Sequence, residues 1–287
     1  MSDPKTSSRK KPRRRIVARK PRYTARTADP FELYQLAVQS PEADLSFVAR
    51  HYRRERGRDP LHMREDFCGT ALLCATWAKS RGDRTAEGFD LDAKTLAWGR
   101  EHNLGPIGAA AERVALHRSD VRDRGDRPAD IRLAQNFSWS IFRTRKELGA
   151  YFKSVYKNLA KDGLFALDLY GGTEATEEME EERRVEGGFT YVWDQARYVP
   201  GTSDYTCYIH FRFRDGSELK RAFTYEWRLW TMPEVKELLA EAGFRDVRAY
   251  FEQSNGGDEG SGVYRRDETG ATCQNCAGWV AYVLAFR

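Results

Sequence analysis

The chain has 287 residues, 40% of them hydrophobic, and seven tryptophans, which suits one large α/β domain carrying an insertion. No apolar run approaches the length of a membrane span and the amino terminus lacks the apolar centre of a secretory signal, so no membrane partner is expected and the cytoplasm is the expected compartment. The net charge of +5 is uneven: residues 1–28 hold eleven Lys or Arg against one Asp, and the remainder is acidic overall.

That basic tail, residues 1–28, is too poor in apolar side chains to offset ordering entropy and is expected to be disordered. A solubilising extension is favoured. The alternative is a tether to nucleic acid, because counterion release gives such arms sequence-independent affinity. An Arg-rich, acid-poor start also resembles an organelle transit segment. The folded unit is then 29–287. It opens with a helix around Phe31 to Val38. A second begins at Ser40-Pro41-Glu42, with Leu45, Val48, Ala49 and Tyr52 at helical spacing.

Next comes Leu61-His62-Met63-Arg64-Glu65-Asp66-Phe67-Cys68-Gly69-Thr70-Ala71, read as strand, tight turn and helix. Gly88-Phe89-Asp90-Leu91-Asp92 then ends a second strand on an acid, 21 residues after Gly69. In an open α/β sheet this arrangement sets backbone N–H groups and a helix N-terminus under a ligand, while the acid reaches a ribose. An adenosine compound is expected. A dinucleotide is disfavoured, because G-x-G-x-x-G lets the backbone approach a pyrophosphate and this loop keeps only Gly69.

Later segments follow in order. Val114 to Leu116 leads to Ser119-Asp120-Val121, Ala129 to Ser138 reads as strand four and the residues after it, and Leu159 to Leu169 as a turn and strand five. Two capping boxes, Thr144 with Glu147 and Thr231 with Glu234, start helices. Strand six is placed at Phe244–Phe251 and the last strand at Trp279–Phe286, joined by an irregular run from Gln253 to Gly278. Residues 171–230 form an insertion whose aromatic and β-branched stretches, split by Pro200-Gly201 and Asp215-Gly216, predict a small antiparallel sheet. The acidic run Glu177 to Glu182 is read as a solvated helix face.

Glu65 to Ala71 resembles the E/D-x-G-x-G-x-G loop of class I S-adenosylmethionine-dependent methyltransferases, with Phe67 and Ala71 in place of the first and third glycines. Asp90, Asp120 and Asn136 fall where that family's ribose acid, adenine acid and fourth-strand residue lie. The resemblance implies a seven-stranded, mostly parallel sheet flanked by helices, its last strand antiparallel, with the insertion as a lid that shapes the acceptor pocket or pairs subunits. It implies S-adenosyl-L-methionine as cofactor, held by Glu65, Cys68, Gly69, Thr70, Asp90, Leu91, Asp120, Val121 and Asn136. Cys68 is expected to be small beside the ligand. Asn136 and Tyr170 are best placed to hold an acceptor at the reacting methyl, and Tyr34, Trp193, His210 and Arg228 are candidates to bind it.

The expected activity is methyl transfer to a nitrogen or oxygen of a small molecule. Strand four lacks the (N/D/S)-P-P-(Y/F) signature of exocyclic base-amine methylation, and no Pro-Cys pair is present there for attack on a pyrimidine. An RNA or protein methyltransferase tethered by the tail, and a non-catalytic cofactor-binding scaffold, are the alternatives. No metal is expected: the five histidines are scattered, and Cys273-Gln274-Asn275-Cys276 is a lone C-x-x-C without a second pair.

Overall fold

Helix signals in the sequence recur as element boundaries in the computed structural model, which describes residues 23–254, 260–267 and 275–287. Helix α1 (Pro30–Val38) is capped by Asp29, whose carboxylate accepts the N–H groups of Phe31 and Glu32 at 2.8 and 3.2 Å. Helix α2 (Pro41–Arg56) ends on left-handed Gly57 and buries Leu45, Val48, Ala49 and Tyr52. Then follow β1 (His62–Asp66), α3 (Leu72–Ser80), β2 (Thr85–Asp90), α4 (Ala93–Gly99), β3 (Val114–Arg118) and β4 (Ala129–Ala134). Helix α5 (Arg145–Asn158) carries the Thr144–Glu147 capping box and leads into β5 (Leu159–Gly171). The remaining elements are β6 (Met179–Val185), β7 (Phe189–Val199), β8 (Asp204–Phe213), β9 (Glu218–Arg228), α6 (Met232–Ala242), β10 (Asp246–Ser254), β11 (Gly260–Arg266) and β12 (Trp279–Phe286). Helix α6 starts on the Thr231–Glu234 box; a cap of this kind contributes about 1 kcal/mol.

The main sheet has the order β11-β10-β12-β5-β4-β1-β2-β3. Strands β1 to β5 pair in parallel, and β12 lies antiparallel between β5 and β10. Both faces are covered, so all five residues of β1 are buried and the strand shows no apolar–polar alternation. On one face, Trp139, Phe152, Phe165 and Trp230 pack with α5 and α6; on the other, Tyr52, Met63, Trp77 and Leu164 pack with α2 and α3. The parallel strands therefore all present their carboxyl ends at one edge.

Three expectations are corrected. The sheet has eight strands, because β11 forms within the run expected to be irregular and covers β10, which would otherwise be the open edge. Its two glycines and exposed Val263 give no periodic buried face for sequence reading to detect. The acidic run is solvated, yet most of it forms a strand: β6 is the edge of the second sheet, order β6-β7-β8-β9, where Glu180 and Glu182 pair with Arg212. Cross-strand pairing here outweighs the weak β-propensity of glutamate. Finally, the tail boundary at 28 falls too late. Tyr23 is buried, its ring edge-on to Phe189 at 5.7 Å, and the Ala25 N–H donates to Ser217 Oγ at 2.9 Å. Residues 1–22 lie outside the described residues.

Through Leu33, Ala37, Phe189, Ile209, Phe211 and Phe213, α1 and the second sheet share a core of their own. No helix among the described residues is long and apolar enough to cross a membrane.

Candidate active site at the carboxyl edge of the sheet

The turn after β1 keeps a left-handed backbone at three alternate residues: Phe67 (φ 55°), Gly69 (φ 50°) and Ala71 (φ 57°). These are the positions where the resembling loop carries glycine. The path is thus retained without two of the glycines, at a cost of roughly 1–2 kcal/mol for each side chain held at positive φ. Phe67 offsets that cost by burial: its ring packs edge-on to Phe142 and Tyr151 at 6.0 and 5.9 Å. It points into the core below the loop.

Asp90, at the end of β2, grips this loop. Its Oδ2 accepts the Gly69 N–H at 2.8 Å and its Oδ1 the Asp92 N–H at 2.9 Å. Each oxygen keeps a second lone pair, which is what a pair of ribose hydroxyls requires. Beside it, Leu91 is 65% exposed, an apolar side chain on the lip of the site. Thr70 is held from two sides: Gln35 of α1 donates to its Oγ1 and Asn103 to its carbonyl, both at 2.8 Å. A Cβ on Gly99 would lie 2.3 Å from the Thr70 carbonyl oxygen, so only glycine lets α4 pass this close.

Two loop residues act differently from expectation. Cys68 is 2% exposed, and a Cβ on Gly88 would lie 2.8 Å from its sulfur; it is small to fit against β2, and burial pushes its thiol pKa well up. Glu65 is buried below the loop, where its Oε2 accepts the N–H and S–H of Cys74 at 3.2 and 3.0 Å. Burial pushes its pKa up to about 8. Its role is to fix the start of α3 under the loop.

On the far side, both oxygens of Asp120 are engaged by Arg122, at 2.9 and 2.7 Å, which holds the carboxyl below its ordinary range. Val121 is buried, and its carbonyl accepts from Arg64 and Arg132.

Just past the end of β4 the chain turns left-handed again at Asn136 (φ 57°) and Phe137 (φ 56°). Their N–H groups donate to Asp168 Oδ2 and Oδ1 at 2.7 and 2.9 Å. Asp168 was not among the sequence candidates; the signal that could have found it is a lone acid inside the apolar run Leu164 to Leu169. The Phe137 ring lies 4.7 Å from Tyr170, which lies 6.1 Å from Tyr205. Burial raises the Tyr170 and Tyr205 hydroxyls far above their ordinary range.

The second sheet turns its aromatic face toward α1 and this turn. Cross-strand register puts Trp193 beside Ile209, Cys207 beside Tyr225 and Tyr205 beside Trp227. Trp193 stands 5.9 Å from Tyr225 and 6.1 Å from Trp227, and Trp227 stands 6.5 Å from Phe137. Tyr34 of α1 packs on Phe223 at 5.0 Å and hydrogen-bonds Tyr225; burial raises its hydroxyl pKa. Tyr34 and Trp193 are therefore brought together with Tyr170 and Asn136.

His210 and Arg228 are not. Strand alternation sets both on the opposite face of the second sheet. His210 Nδ1 accepts the Arg221 N–H and its Nε2 faces Asp194 at 3.1 Å, so its ring is fully engaged there. Arg228 donates to Glu234 at 2.7 Å and lies over the Trp230 ring at 3.8 Å. Both are corrected to framework residues.

Histidines scattered in the sequence do meet acids in space. His62 Nε2 contacts Glu87 at 2.9 Å, and His117 Nε2 lies 3.6 Å from Glu87 and 3.8 Å from Asp126. Cys276 is exposed, and Cys273 lies outside the described residues.

No protein-family model matches the chain, and no curated protein matches it. Solved structures do. An S-adenosylmethionine-dependent methyltransferase from Clostridium acetobutylicum is 15% identical with a TM-score of 0.64, over 88% of this chain and 96% of that one. CalS10, an amino pentose methyltransferase from Micromonospora echinaspora, is 19% identical with a TM-score of 0.62, over 91% and 97%. The sugar N-methyltransferase KedS8 from Streptoalloteichus is 15% identical with a TM-score of 0.60, over 100% and 98%. The chain has the fold of these methyltransferases.

Proposed function

We propose that the chain is an S-adenosylmethionine-dependent methyltransferase acting on nitrogen or oxygen of a small molecule, with an amine nitrogen favoured. The observation that carries the reading is the Asp90 carboxylate seated on the Gly69 N–H in a loop that turns left-handed at three alternate residues, Phe67, Gly69 and Ala71. Asp90 would hold the ribose and Leu91 would cover one face of the adenine. Asp120 would reach the adenine edge once its pairing with Arg122 shares an oxygen. When bound, the cofactor supplies a methyl group already activated by a sulfonium.

The residues of this chain then have a limited task. They align an acceptor lone pair, exclude water, and let a proton leave after transfer. Tyr34, Trp193, Tyr225, Trp227 and Phe137 provide an aromatic wall, whose ring faces attract the positive charge that develops on the nitrogen as the methyl is transferred. The names of the amino pentose and sugar N-methyltransferases of like fold support the same choice. Among the described residues no side chain at this site is a strong base, which suits an acceptor that enters as its neutral amine.

The test is transfer of a labelled methyl group from S-adenosylmethionine to a panel of small amines, phenols and carboxylates, read by mass spectrometry, with Asp90→Ala as control. N-methylated product that disappears in the variant is expected. Cofactor binding without product from any class would favour a scaffold, and product on oxygen alone would overturn the amine choice.

A further inference from the structure

The backbone at Asn136 and Phe137 is the second strained turn of the site, and, unlike the first, it is held by a buried carboxylate. Two successive non-glycine residues at φ 57° and 56° turn their N–H groups to one side, making a concave seat for an anion. Asp168 fills that seat with both oxygens while remaining 8% exposed. Its own carbonyl accepts the Trp139 indole N–H at 2.8 Å, so β5 pins this turn at two points. The Asn136 side-chain amide takes no partner within the described residues, and the Phe137 ring bridges Tyr170 and Trp227. Nothing else in the described residues accepts those two N–H groups.

We infer that Asp168 is a positioning residue: by accepting both N–H groups it keeps Asn136 and Phe137 left-handed, and so aims the Asn136 amide and the Phe137 ring at the acceptor. The inference rests on the methyltransferase reading for the word acceptor, but the conformational claim stands apart from it. The Asn136 carbonyl would take an N–H of the acceptor amine and orient its lone pair, and the Phe137 ring would close the wall behind it.

Ionisation of Asp168 governs the strength of the seat, because a carboxylate offers two full acceptors to the N–H pair and a carboxylic acid one strong acceptor and a weak one. Burial pushes its pKa up to about 7, against the lowering effect of the two N–H groups. The titratable groups around it are Asp44 of α2, which raises it further, and the hydroxyls of Tyr34 of α1, Tyr264 of β11 and Tyr282 of β12. Tyr282 in turn hydrogen-bonds Asp44. The seat is therefore firm above neutral pH and loosens below it.

Two arms test this on the full chain. In the first, the backbone amide resonances of Asn136 and Phe137 are followed from pH 5.5 to 9 in the isotopically labelled protein. They should titrate together with a midpoint near 7 and lose that titration in Asp168→Asn; flat or independent curves in the wild type would overturn the inference, whatever the enzyme does. In the second, S-adenosylmethionine is titrated calorimetrically and methyl transfer to the amine panel is measured for wild type, Asp168→Asn and Asp168→Glu. Expected are cofactor Kd values within about threefold of wild type, kcat down about 10²-fold in Asp168→Asn as for a misplaced reacting group, partial recovery in Asp168→Glu, and loss in Asp168→Asn of the wild-type rise in kcat near pH 7. Unchanged kcat, or cofactor affinity falling in step with it, would overturn the positioning role. Failure of all proteins to transfer methyl while the amides titrate would instead refute the methyltransferase reading alone.

Discussion

Arg64 and Arg132 meet at one carbonyl. Each donates to the Val121 oxygen at 2.6 Å from neighbouring parallel strands, and Asp66 between them bonds both, at 2.8 and 2.6 Å. Tyr151 adds its hydroxyl to Asp66 at 2.7 Å, and the Arg64 guanidinium lies 3.6 Å from the Phe89 ring centroid. All three charged side chains are buried, so the group holds the Asp120–Val121 turn from beneath. Removing one cation leaves charge buried without compensation. Arg132→Met is expected to cost about 3 kcal/mol or more in urea unfolding and to weaken adenosine binding by loosening that turn. A loss below about 1 kcal/mol would show that the network contributes little.

The left-handed backbone at Phe67 reverses the usual order of two substitutions. At an ordinary loop position alanine is preferred to glycine because glycine loses more entropy on folding. At φ 55° the Cβ itself is strained. Phe67→Ala loses the ring contacts and keeps the strain; Phe67→Gly loses the same contacts and relieves it. The glycine variant should be the more stable of the two by about 1 kcal/mol in chemical denaturation. Equal stabilities, or alanine ahead, would mean that the loop runs elsewhere.

Asp90→Asn tests the cofactor grip with little change in shape. The amide keeps one acceptor but replaces the other by a donor facing the Gly69 or Asp92 N–H, and it removes the charge from the hydrogen bonds. Losing charge-assisted bonds of this kind is worth about 1.5–3 kcal/mol, so the S-adenosylmethionine Kd should rise by roughly 10- to 100-fold. The thermal shift given by the ligand should shrink correspondingly. Undiminished affinity would place the ribose elsewhere.

Legibility followed how local each signal is. Both capping boxes and the span of β12 are set by nearest neighbours, and each is found at the expected place. The loop of Phe67 to Ala71 was legible as a tight turn facing the acid of the next strand, because its glycine and that acid keep fixed spacing. The face each insertion residue takes was not. His210 and Arg228 look like acceptor groups from their chemistry, but a strand alternates its faces, and only the register and the bulge between Ile209 and Phe211 decide which residues turn inward. Asp168 escaped for the opposite reason. Its meaning comes from two N–H groups more than thirty residues away in sequence, donated by a backbone shape that carries no glycine to announce it.

The amino-terminal boundary makes a graded prediction. Deleting residues 1–22 leaves Tyr23, Ala25 and the Asp29 cap in place, so a small-molecule methyltransferase should keep its stability and activity. Deleting 1–28 also removes the Tyr23 ring from Phe189 and the Ala25 bond to Ser217. That second truncation should lower stability by about 2 kcal/mol, the scale for loss of a buried aromatic side chain. If the shorter deletion instead abolishes methylation of RNA or protein, with a strong dependence on salt in the full chain, the tail is a tether.

Glu65 gives the chain a pH dependence of defined sign. Its folded pKa lies near 8, raised by burial above that of an exposed carboxyl. A group raised in this way favours the folded state in its protonated form, so its contribution is fully present below about pH 4 and is lost as pH rises through about 8. Asp168, raised to about 7, acts in the same direction. The urea midpoint should therefore fall between pH 5.5 and 9, before lysine or tyrosine ionisation enters. Glu65→Gln mimics the protonated form, keeps an acceptor for the Cys74 N–H and cannot ionise; its midpoint should fall less over the same range. A variant whose pH profile runs parallel to the wild type would show that this carboxyl does not titrate within the folded protein.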